Sequence, residues 1–125
     1  MQPTMNPNSV RAAYALGRLL PADSDESLET AVLKLLRLAY VHRYIRSAPE
    51  ERAARRLLAE LPGRWRTIVR EALRIRQGAE EPSLYTSRGE RLADWEAFHR
   101  YMLDWLAGTE PGAGAERIAA DQAAL

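Results

Sequence analysis

The stretch Leu33–Arg46, LKLLRLAYVHRYIR, decides the fold. Its apolar side chains recur every third or fourth place, and no alternating run of β-branched residues competes with that period. Extended upstream, Leu28, Val32, Leu35, Leu36, Ala39 and Ile45 make an apolar surface broader than a single stripe. A helix at the edge of a bundle needs one stripe. This one is therefore expected at the centre, touched on more than one side. Asp23 followed by Glu26 reads as the capping box that opens it, and it should run to about Arg46.

Working outward, the same period and clean breakers predict four more helices. The first starts at about Ser9, a good N-cap, carries Val10, Ala13 or Tyr14, Leu16 and Leu20 on one side, and stops before Pro21. The third opens on Ser47-Ala-Pro-Glu50, with proline in the tolerated first turn, and buries Ala54, Leu57, Leu58 and Leu61. Pro62-Gly63 breaks it. The fourth, RWRTIVREALRIRQ, buries Trp65, Ile68, Val69, Ala72, Leu73 and Ile75 and ends at Gly78. A loop, AEEPSLYTSRG, leads to a fifth helix capped by Ser87 and Glu90. Its stripe is Leu92, Trp95, Phe98 or His99, Met102 and Leu106, and Gly108 stops it. The expected fold is all-α, a compact bundle of about five helices. Residues 1–8 form a disordered N-terminus, 9–107 the bundle, and 108–125 a flexible linker and a marginal C-terminal helix.

The 125 residues suffice for one domain with its own core. There is no cysteine, so disulfides and thiolate metal sites are excluded. The opening MQPTMNPNSV lacks the basic-then-apolar pattern of a secretory signal, and no apolar run approaches the roughly 20 residues of a membrane span. A soluble cytoplasmic chain without membrane contact is expected. Two histidines on separate helices, His42 and His99, give no basis for a metal site, and no glycine-rich phosphate loop or serine nucleophile elbow is present. No cofactor and no small-molecule substrate is expected.

The net charge of +1 conceals an asymmetry. Residues 1–33 sum to −2, residues 34–76 to +8 and residues 77–125 to −5. A basic middle between acidic ends points to a polyanionic partner, or to a neighbouring protein that is acidic in the right place.

Within the central helix, Arg37, His42 and Tyr44 have the spacing Arg-x4-His-x-Tyr. This resembles the signature of the HEPN ribonucleases, helical proteins that include toxins. The resemblance implies a metal-independent RNA cleavage in which the arginine stabilises the phosphate transition state and the histidine moves protons. The period offers a different reading. His42 lies in heptad register with Leu28 and Leu35, and Arg37 lies about 140° around the helix from it, toward Lys34. On that reading the three are a core-edge histidine, a surface arginine and a packing tyrosine.

The other arginines are better organised. Arg66, Arg70 and Arg74 recur every four residues and make one stripe on the fourth helix. Arg52, Arg55 and Arg56 cluster on the third, and Arg43 and Arg46 close the second. Guanidinium groups on rigid helices suit bidentate contact with phosphates. The alternative is a solvated face, with pairs such as Glu51–Arg55 or Glu71 beside Arg70 or Arg74 on the surface. VRAAYALGRLL, then LKLLRLAYVHRYIR, then the late aromatic helix WEAFHRYMLDW, is similar in size and order to the small all-helical subunits of type III CRISPR effector complexes. That resemblance implies a non-catalytic subunit of a ribonucleoprotein, its basic middle facing RNA backbone and its acidic part docked on other subunits or on a further copy of itself. A rival reading is an adaptor that binds protein alone, anchored by Trp95, Tyr101 and Trp105.

Overall fold

A computed structural model describes residues 7–78 and 80–115. They form five α-helices: α1 (Pro7–Leu19), α2 (Asp25–Tyr44), α3 (Glu50–Glu60), α4 (Arg66–Arg76) and α5 (Arg88–Gly108). A 3₁₀ turn at Gly63–Trp65 precedes α4, and the described residues contain no strand. This is the all-α bundle that the periodicity predicts. The disorder expected over residues 1–6 and the helix expected over 116–125 lie outside the described residues.

The centre of the bundle is α2, which packs against each of the other four helices. Leu28, Leu33, Leu35 and Leu36 are completely buried along it. Each contributes roughly 1.5–3 kcal/mol by leaving water. The broad apolar surface of this helix thus has the consequence that its sequence implies: the other elements pack around it.

Salt bridges fix the directions of the helices. Glu50 at the start of α3 meets Lys34, while Glu60 at its end meets Arg43, so α3 runs parallel to α2. Residues 45–49 must therefore return along α2, which their five residues can do only when nearly extended. Arg76 at the end of α4 reaches Glu29 and Glu50, so α4 runs the opposite way. Arg91 meets Asp25 and His42 meets Thr109, which makes α5 parallel to α2.

Several expected boundaries move. Pro7, not Ser9, opens α1, and Ser9 is buried in the first turn. Ala13 is buried and Tyr14 is 52% exposed, which resolves the alternative between them. The capping box of α2 runs one residue later than expected, between Ser24 and Ser27. The helix stops at Tyr44 because Ile45 turns left-handed, with φ 51° and its side chain 62% exposed, so Ile45 is not a core residue. Ser47 does not cap α3. Pro49 holds that position, and no side chain bonds the helix end.

One glycine sets how closely α1 approaches α5. A Cβ built on Gly17 would lie 2.2 Å from Cε1 of His99. That ring cannot simply swing away. His99 Nε2 hydrogen-bonds the Ala13 carbonyl at 2.7 Å, and the ring stacks on Trp95 at 5.3 Å. In an ordinary helix interior Gly→Ala stabilises by about 1 kcal/mol. Here Gly17→Ala is expected to destabilise by about 1–3 kcal/mol through overpacking. Chemical denaturation reads the sign, and a stabilised variant would show that the two helices have room to separate.

Candidate nucleic-acid interface

The fold divides the basic middle of the chain into two groups. Lys34, Arg43, Arg55, Arg56, Arg64, Arg74 and Arg76 are each paired with a carboxylate. Arg37, Arg46, Arg52, Arg66 and Arg70 are exposed and make no ion pair among the described residues. Arg52 stands one turn before Arg56 on α3, Arg66 one turn before Arg70 on α4, and Arg46 just beyond the end of α2. The helix period places these cations: the buried positions Ala53, Ala54 and Leu57 on α3, and Ile68, Val69, Ala72 and Leu73 on α4, leave them the solvent side.

Arg74 does not continue the stripe of Arg66 and Arg70. Its side chain is 15% exposed and turns onto Glu71, with Nε 3.0 Å and Nη2 3.2 Å from the two carboxylate oxygens. Glu71 is not a surface pair but a completely buried carboxylate. It also accepts from Arg91 at 3.1 Å, from the Leu84 backbone amide at 3.0 Å and from the Ser83 hydroxyl. Burial pushes this carboxyl up, but the bonds from Arg74, Ser83, Leu84 and Arg91 outweigh it and hold it at about 2. Arg91 in turn reaches Asp25 at 2.8 Å. The network ties α4, the loop before α5, α5 itself and the start of α2. Tyr85 in the same loop donates to Asp94, and burial and that bond raise its hydroxyl above the ordinary tyrosine range.

Arg43 and Arg56 come together at the far end of the bundle. The Glu60 carboxylate sits between them, 2.8 Å from Nε of Arg43 and 2.9 Å from Nε of Arg56. The Tyr44 hydroxyl donates to Glu60 and accepts from both arginines at 3.3 Å. The hydrogen bond to Tyr44 raises both guanidinium groups above the ordinary value, against burial and with Glu60 adding to it. With Ala59 and Trp105 the cluster lines a pocket of about 530 Å³. Sequence spacing does not foretell this meeting, since it depends on α3 running parallel to α2.

The three residues of the Arg-x4-His-x-Tyr stretch do not converge. Arg37 is exposed, His42 is 2% exposed and Tyr44 is 1% exposed within the Glu60 cluster. His42 Nε2 lies 2.6 Å from the Thr109 carbonyl, so it carries the proton, and Nδ1 is buried without a hydrogen-bond partner among the described residues. Residues 109–115, part of the stretch read as a linker, lie against the end of α2. The Gly112 and Gly114 amides donate to the His42 and Arg43 carbonyls at 2.8 and 2.9 Å. Gly112 has φ +79°, and a Cβ on Gly114 would lie 2.3 Å from Tyr44. His42→Ala is expected to cost about 1–3 kcal/mol and to speed hydrogen exchange in 109–115. RNA incubated with the wild type without metal should stay intact. Cleavage lost in His42→Ala would restore the catalytic reading.

Trp95 and Tyr101, candidate anchors of an adaptor surface, serve the interior. Trp95 is 3% exposed, and Tyr101 packs on Trp65 with ring centres 5.2 Å apart. Trp105 lines a pocket with charged groups. The described residues hold no group of histidine, aspartate and glutamate placed to take a metal ion, and none of their helices is long and apolar enough to cross a membrane. No protein-family model, no curated protein and no solved structure matches this chain.

Proposed function

We propose that this protein is a non-catalytic subunit that binds RNA backbone within a larger cytoplasmic ribonucleoprotein, as the small helical subunits of type III CRISPR effectors do. The observation that carries the reading is the unequal treatment of the arginines. The fold neutralises the ones it uses structurally and leaves Arg46, Arg52, Arg66 and Arg70 exposed without a carboxylate partner among the described residues. An exposed guanidinium fixed on a helix is the group that contacts phosphates regardless of base. Arg43 and Arg56 adjoin this set, half-buried and shared with Glu60. Arg74 is withdrawn from it by Glu71.

The burial of His42 and the outward position of Arg37 support binding over cleavage. The acidic C-terminal part of the chain suits docking on other subunits. Native protein isolated at low salt should carry RNA that ribonuclease removes, together with protein partners. Protein partners without RNA would favour the adaptor reading instead.

A further inference from the structure

We propose that the groove between α2 and the start of α3 docks an acidic amphipathic helix of a partner protein. The inference goes beyond RNA binding and uses Arg37, the exposed cation that the RNA-binding set leaves over. The groove has a volume of about 310 Å³ and is lined by Lys34, Arg37, Leu38 and Val41 of α2 and by Glu50 of α3.

Residues 34, 37, 38 and 41 are spaced three and four apart, so they share one face of α2. Leu38 and Val41 make the apolar floor. Leu38 is half-buried against the core, and Val41 is 39% exposed. Although α2 packs against all four other helices, this strip of it still faces solvent. Ile45 follows Val41 by one turn, and its amide donates to the Val41 carbonyl at 2.8 Å. Its side chain stays 62% exposed while its backbone holds φ 51°. A β-branched side chain is costly in that left-handed region, where glycine or asparagine would serve the turn. An apolar side chain held there in water, one turn from a second one, has a use if a further surface covers both.

Charge complementarity names the occupant. Arg37 makes no ion pair among the described residues, and the Lys34 side chain, 52% exposed, reaches Glu50 only at 3.5 Å. Glu50 is itself 15% exposed and is also held by Arg76 at 2.8 Å. The groove thus presents cations at its rim, and its one carboxylate is taken up. From Lys34 to Ile45 the strip runs about 16 Å, three turns of helix. A helix laid along it would set apolar side chains on Leu38, Val41 and Ile45 and carboxylates on Lys34 and Arg37, the helix-in-groove mode of recognition. An RNA strand suits the groove less, because an aliphatic floor gives bases no aromatic face to stack on.

Fluorescence anisotropy with the full chain and three labelled peptides of about 14 residues, four turns of helix, tests this. The first carries leucines at every third or fourth place flanked by glutamates, the second has lysines in place of the glutamates, and the third has the glutamates with the leucines scrambled. The first should bind at least tenfold more tightly than either other. Arg37→Glu should cut its preference over the lysine peptide severalfold, and Val41→Ser its preference over the scrambled one. Ile45→Asn should weaken the first peptide severalfold while leaving the urea midpoint no lower than in the wild type. Photo-crosslinking from position 41 of the full chain should capture the first peptide. Equal affinity for the three peptides, or preferences unmoved by both Arg37→Glu and Val41→Ser, would overturn the proposal. So would crosslinks from position 41 to RNA, to a second copy or to residues of the same chain that exclude the peptide. RNA affinity through Arg46, Arg52, Arg66 and Arg70 would survive that outcome.

Discussion

Glu71→Ala is expected to destabilise the fold by about 3–5 kcal/mol, the cost of breaking a buried ion pair from one side. The whole stability of a domain is roughly 5–15 kcal/mol, so much of it is at stake in this one side chain. The carboxylate accepts bonds from Arg74, Arg91, Ser83 and the Leu84 amide. Without it, Arg91, 4% exposed, keeps only Asp25 as a carboxylate partner among the described residues, and the loop before α5 loses two of its anchors. Urea unfolding measures the loss. A cost below about 1 kcal/mol would mean that the network rearranges around the gap.

The same carboxylate gives the stability a pH signature. Its folded value of about 2 lies below the ordinary 4.5, so its contribution is complete above pH 4.5 and is lost as the pH falls toward 2. At 1.36 kcal/mol per pH unit the difference amounts to about 3 kcal/mol. Glu71→Gln keeps the shape and should remove most of this acid-induced fall. A remainder is expected from Glu50, where burial is outweighed by Arg76 and Lys34 and the carboxyl is lowered.

The helices were legible because their signals are local. Apolar period, proline breaks and the Ser87–Glu90 cap lie within one turn of what they determine. The end of α2 was not legible. The left-handed residue there is Ile45, not the glycine that usually announces such a turn, and what demands it is the parallel course of α3. The site divides in the same way. Arg52, Arg66 and Arg70 are exposed as the helix period predicts. Arg74 has the same period, yet Glu71 draws it inward. Glu71 is held by Arg91, 20 residues along, and Arg91 is shared with Asp25, 66 residues before it. No spacing rule reaches that far.

The second large effect is expected in RNA binding. Replacing Arg46, Arg52, Arg66 and Arg70 together by glutamine should leave stability within roughly 0.5 kcal/mol per site, since all four are exposed and outside the ion-pair networks. If each contacts one phosphate, single-stranded RNA affinity at 0.1 M salt should fall by two to three orders of magnitude, about 0.7 per contact in the logarithm at that concentration. The fall should be the same for every sequence, because phosphate contacts carry no base information. A loss confined to some sequences would point to base contacts instead.

The most direct test of RNA-backbone binding is the slope of log affinity against log salt for three proteins. These are the wild type, this fourfold variant, and a control with Arg11, Arg18, Arg88 and Arg100 changed to glutamine. The control residues are also exposed but lie outside the basic middle, so both variants carry the same net charge. The fourfold variant should have a slope shallower by about 3, with the control close to the wild type. Equal slopes for wild type and the fourfold variant, or an equal change in the control, would contradict it.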